Sequence, residues 1–122
     1  MRLRRKRRIL RAMRKSRELR CLQDNTGRIR PGDVLLVSTV RNEQIRLPFF
    51  LDYYRAQGID HFLFVDNDSS DGTSAYLSGM ADVSLWHTRA SYKRANFGVD
   101  WMNCLKRKYA HGHWVLVADP DE

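Results

Sequence analysis

An α/β domain on a mostly parallel sheet is the fold class this sequence predicts, and three observations predict it. Four short apolar runs, Val34 to Thr39, His61 to Val65, Val83 to His87 and Trp114 to Ala118, punctuate the chain. Between them lie stretches whose apolar residues recur at helical spacing, and polar loops follow the runs. Strands that alternate with helices imply right-handed βαβ crossovers, hence a Rossmann-like sheet.

The elements follow in order. Met1 to Arg20 is mostly Arg, Lys and Leu, with Ile9, Leu10 and Met13 as a thin apolar stripe. It suits a short basic surface helix or a solvated, half-disordered arm. Asp24 to Asp33 holds Asn25, Gly27, Pro31 and Gly32, which is turn chemistry, so residues 1–32 are expected to be arm and linker and 33–122 the domain. After the first strand, Ile45, Leu47, Phe49, Phe50, Tyr53 and Tyr54 outline a helix with Pro48 in its first turn and Gly58 as its stop.

The second strand ends abruptly in Asp66-Asn67-Asp68-Ser69-Ser70-Asp71-Gly72-Thr73, and a short helix is expected from there through Leu77. Phe97, Trp101, Cys104, Leu105 and Tyr109 fall on one face of a third helix, which ends near Gly112. Trp86, Trp101 and Trp114 read as core or sheet packing rather than sugar platforms. His61, His87, His111 and His113 lack ligand spacing with the carboxylates and read as structural, with His87 of interest at a strand end.

Charge is divided sharply. Eleven of the 22 Lys and Arg residues fall in residues 1–20 against the single Glu18, which leaves the remaining chain eleven against thirteen Asp and Glu. The net +8 therefore belongs to the head, not to the body. Such a head gains about 1 kcal/mol per cation near an anionic membrane. It has no aromatic side chain for base stacking, so nucleic acid is the poorer partner. Cys21 and Cys104 show no pairing or metal motif, so reduced thiols and a cytoplasmic location are expected, with possible contact at the inner face of the membrane. No apolar run approaches the ~20 residues of a membrane span.

In an open α/β sheet, ligands bind beyond the carboxyl ends of the strands. The loops there are Arg41-Asn42-Glu43, Asp66 to Asp71, Thr88 to Arg94 with its three cations, and Asp119-Pro120-Asp121. Neither a dinucleotide fingerprint nor a Walker A sequence occurs, so phosphate charge would need another partner. Asp119 and Asp121 can both reach one hard divalent cation, and Pro120 stiffens the pair. Taken alone, the same residues also suit solvated turns and caps.

Taken together, the loops resemble a known family. Val37-Ser38-Thr39-Val40-Arg41-Asn42-Glu43, Val65 to Thr73, Lys93-Arg94-Ala95-Asn96-Phe97-Gly98 and Val117-Ala118-Asp119-Pro120-Asp121-Glu122 look like the successive motifs of family 2 glycosyltransferases, in order and spacing. The likeness covers about Asp33 to Glu122 and is nearest to a bacterial branch with a Phe-Gly-x-Asp-Trp helix before the D-x-D. It implies the N-terminal half of a GT-A fold, a nucleotide-diphospho-sugar donor, an unknown acceptor in cell-surface polysaccharide or glycoconjugate synthesis, and Mn²⁺ or Mg²⁺. Carried over by position, Thr39, Arg41 and Glu43 would line the nucleoside pocket, Asp66 would meet base or ribose, and Lys93 would lie near the nucleotide. Asp119 would approach ribose and metal, and Asp121 would be the firmer metal ligand. Asn67 stands where the family commonly has a second aspartate.

The family continues past the D-x-D with acceptor-binding elements and the general base, which is therefore expected beyond Glu122. On that ground the chain reads as a donor-binding piece without robust transfer of its own. A second reading is a hydrolase, since Asp66-x-Asp68 resembles the nucleophile loop of haloacid-dehalogenase-like phosphatases. There Asp66 would attack phosphorus and Asp68 act as general acid, although Ser69, Ser70 and Asp71 intervene before Gly72-Thr73. A third is an inactive nucleotide-binding fragment docked through its basic arm.

Overall fold

The computed structural model describes residues 7, 10 and 17–121. Within the basic head, Arg7 and Leu10 are helical and exposed, and most of the expected surface helix lies outside the described residues. Strands β1 (Arg20–Gln23), β2 (Leu35–Val40), β3 (His61–Asp66), β4 (Val83–His87) and β5 (Val115–Val117) form one sheet in the order β1-β4-β3-β2-β5. Helices α1 (Leu47–Ala56), α2 (Thr73–Leu77) and α3 (Val99–Tyr109) connect them. Strands β2 to β5 are mutually parallel, as the alternation of strands and helices predicts, and the fold is a mixed α/β sheet of Rossmann-like type.

Alternate residues of each strand face opposite layers. Leu36, Val40, Phe62, Phe64 and Leu85 pack under Leu47, Phe50 and Leu51 of α1 and Leu77 of α2. Leu35, Val37, Leu63, Val65 and Trp86 pack under Trp101, Met102 and Leu105 of α3. The two central strands are thereby buried on both faces, which is why they read as continuous apolar runs.

Several details depart from the sequence expectations. Arg20–Gln23 pairs antiparallel with β4, adding a fifth strand where only arm and linker are expected. The stretch behind it is fastened to the body: Gln23 Nε2 donates to the carbonyls of Val83 at 2.8 Å and Met80 at 3.2 Å, and Asn25 Nδ2 to those of Val83 and Met80. Ile45 precedes α1 and is 95 % exposed, and Phe49 is 78 % exposed, so the buried face of α1 is carried by Leu47, Phe50 and Leu51. Trp86 and Trp101 are buried, whereas Trp114 is 84 % exposed ahead of the short β5, at the end of the strand order among the described residues. Cys21 and Cys104 are both free thiols. Among the described residues no helix is long and apolar enough to cross a membrane.

Candidate functional site

From β2 the chain steps outward through β3 to β4, then returns to the opposite side of β2 to form β5. The carboxyl ends of β2 and β5 therefore flank the topological switch point, where the loops diverge and leave a crevice. A pocket of about 230 Å³ lies there. Thr39, Arg41, Glu43, Asn67, Asp119 and Asp121, six residues singled out from the sequence, line it together with Val40 and Tyr92.

Several are held by their local structure. Glu43 is mostly buried, and its Oε2 accepts from Arg46 Nη1 at 3.1 Å. The loop that carries Arg41 and Glu43 is stitched to the loop after β3. Asn42 Oδ1 accepts from the Ser70 N–H at 2.7 Å, and Gln44 Oε1 accepts from the Gly72 N–H at 2.9 Å. In return, Thr73 Oγ1 accepts from the Glu43 N–H at 3.1 Å. Asn42 and Gln44 are thus positioning residues that the sequence analysis did not single out.

Asn67 is buried, and its Nδ2 donates to the carbonyls of Thr88 at 3.3 Å and Ala90 at 3.0 Å. An aspartate there would turn a carboxylate toward two carbonyl oxygens, so an asparagine at this position has a structural reason. The Oγ1 of Thr39 is buried and has no hydrogen-bond partner among the described residues. Gly98, with φ of +82°, closes over it; a Cβ there would stand 2.8 Å from that oxygen.

Tyr92 is the lining residue that sequence reasoning missed. An isolated tyrosine in a polar loop has no spacing signal; its ring is placed by packing on Phe97 and Trp101, at centroid distances of 5.7 and 6.3 Å. Burial pushes its hydroxyl above its ordinary range, and the charges of Asp119 and Asp121 add to that push.

Two expected site residues lie off this pocket. Asp66 is 1 % exposed and works inside its own loop. Its Oδ1 accepts from the backbone N–H of Ser69 at 3.0 Å and from Ser69 Oγ, and its Oδ2 accepts from Ser74 Oγ. So placed, it offers no exposed oxygen for attack on phosphorus. Lys93 sits exposed on the loop before α3. Asp68 is half-exposed, with Oδ1 3.0 Å from His87 Nε2. Asp71 accepts from the Thr73 N–H at 2.9 Å, which ties down the start of α2.

Among the described residues no group of three or more His, Cys, Asp or Glu side chains is placed to hold a metal ion. Asp119 and Asp121 offer two carboxylates on one turn after β5, the donor set of a hard cation that takes its remaining ligands from phosphate oxygens and water, as Mg²⁺ commonly does. A larger hollow of about 410 Å³ runs between Tyr53, Ile59, Trp114 and Leu116, but among the described residues no charged side chain lines it. The polar crevice at the switch point is therefore the candidate site. Comparison with protein families, curated proteins and solved structures returns no match to this chain.

Proposed function

We propose that this domain binds a nucleotide-diphospho-sugar donor, as the donor-binding part of a family 2-like glycosyltransferase. The observation that carries this proposal is the convergence of Thr39, Arg41, Glu43, Asn67, Asp119 and Asp121, from three loops far apart in sequence, on one pocket at the switch point. These are six of the eight positions that the family resemblance assigns to the nucleotide and its ion, Asp66 and Lys93 lying off the pocket. In this assignment Thr39 and the side-chain oxygen of Asn67, whose nitrogen donates to Thr88 and Ala90, line the nucleoside side of the pocket, and Glu43, steadied by Arg46, accepts from its hydroxyl or amine groups. Arg41 offsets phosphate charge. Asp119 and Asp121 hold Mn²⁺ or Mg²⁺, which when bound neutralises the diphosphate and improves it as a leaving group. A cytoplasmic location goes with such a donor, and the two free cysteines support it.

Calorimetry of the purified chain against uridine, guanosine and thymidine diphosphates, with and without Mn²⁺, tests the proposal. At least one is expected to bind only with the ion, and Asp121→Ala is expected to weaken it by about tenfold or more, roughly 1.4 kcal/mol. If no nucleoside diphosphate shows metal-dependent binding, or if Asp121→Ala binds as the parent does, the proposal is wrong.

A further inference from the structure

The carboxyl edge of the sheet carries a second feature that the pocket does not use. Because β1 runs antiparallel to β4, with Arg20 opposite His87, the basic head leaves the fold at that same edge. Its exit is pinned: Trp101 Nε1, in the first turn of α3, donates to Glu18 Oε2 at 2.9 Å. The neighbouring loop, from the end of β4 to the start of α3, exposes cations and apolar rings side by side. Arg89 is 85 % exposed, Lys93 and Arg94 are exposed, and Phe97 and Val99 are 58 % and 39 % exposed. Tyr92 packs on both Phe97 and Trp101, which makes loop, helix start and head exit one continuous surface.

From this we infer that the 89–99 loop, with Arg17 and Arg20 at the exit of the basic head, forms a docking face for an anionic lipid bilayer. Charge complementarity selects the occupant. Arg17, Arg20, Arg89, Lys93 and Arg94 are exposed at this edge, the sequence that leads into it carries most of the chain's excess positive charge, and an anionic surface rewards each nearby cation; the exposed Phe97 and Val99 supply the apolar contact typical of interfacial segments. A nucleic acid would use the same cations, but the head has no ring to stack on bases. Docked in this way, the protein holds its pocket beside the lipid, since Tyr92 lines both, and keeps Trp114 away from it. Trp114 lies at the opposite, amino edge of the sheet, where its carbonyl accepts from the Leu35 N–H.

Docking does not depend on a nucleotide, so vesicle sedimentation without one separates it from the donor-binding proposal. The full chain is expected to sediment with phosphatidylglycerol-containing vesicles and not with pure phosphatidylcholine. Arg89→Glu/Lys93→Glu, which alters two exposed side chains, is expected to weaken binding about tenfold or more. Orientation is read with brominated lipid: a tryptophan introduced as Phe97→Trp in a Trp114→Phe background is quenched on binding, while Trp114 of the parent is not. The inference is overturned if the charge-reversed variant binds anionic vesicles like the parent, or if Trp114 is quenched and the introduced tryptophan is not. It is also overturned if the chain ignores vesicles but binds single-stranded RNA through these cations.

Discussion

Asn67 shows how much one atom decides at this site. Its amide group is the only part of the side chain that can donate, and both donated bonds hold the loop after β4 against the pocket. Asn67→Asp keeps the shape and removes the donor, leaving a buried carboxylate opposite two carbonyl oxygens. The expected cost is about 3 kcal/mol at neutral pH, and it should shrink at acid pH, where a protonated carboxyl donates again. Urea unfolding of parent and variant at both pH values measures this; an equal loss at both would show that the amide's bonds are not the cause. Asp66 makes the complementary point. A sequence shows that a loop is acidic, but a carboxylate that anchors Ser69 and Ser74 and one that meets a ligand have the same letter. Arg41, Glu43 and Asp119 were legible as pocket-lining residues through their place at strand ends. Tyr92 was not, because ring packing alone puts it in the wall.

At the scale of elements, legibility followed burial. Strands β2, β3 and β4 are almost wholly buried, so their apolar runs stand out against the loops. Strand β1 reads Arg-Cys-Leu-Gln and is mostly exposed, and little in that composition separates it from the arm before it. Much of its attachment comes through side-chain amides, which no hydrophobic period reports. Gln23 is the chief of these: besides its bonds to Met80 and Val83, its Oε1 accepts from the Gly79 N–H at 2.8 Å. Gln23→Ala is therefore expected to release β1 while the parallel sheet persists. Amide exchange at Cys21 to Asn25 should quicken by about tenfold or more, with global stability lowered by only about 1–2 kcal/mol. Uniform quickening across β2 and β3 would mean instead that β1 unfolds with the whole domain. Helix α1 failed in the other direction. Its aromatic residues outnumber the places beneath it, so Phe49 and Tyr53 stack on each other outside at 6.3 Å, although their spacing counts them with the apolar residues that outline the helix.

The molecule as a whole joins a strongly basic head to a nearly balanced body, so its response to acid is set by a few groups in the body rather than by net charge. His61 begins β3 in the core, with Nε2 2.9 Å from Ser84 Oγ on β4, and that Oγ also accepts from the Asn25 N–H. Burial holds the imidazole below its ordinary value of 6.5, and the charges of Asp82, Asp33 and Asp24 oppose this only in part. The unfolded chain therefore binds a proton near pH 6.5 that the folded chain still refuses. Stability is unaffected above that pH and falls as pH drops through it, by at most about 1.4 kcal/mol per pH unit for one group. A second loss has a different origin. Arg55 donates to both oxygens of Asp82, at 2.7 and 2.8 Å, which holds that carboxyl below its ordinary 3.8, so this ion pair's contribution fades only as pH falls below 3.8. Urea midpoints measured across pH should show two descents, the first beginning near 6.5 and the second below 3.8. His61→Gln, which has no proton to gain, should remove the first and keep the second. A parent midpoint that is flat between those pH values, or a His61→Gln variant that declines as steeply as the parent, would show that the buried histidine does not govern the acid response.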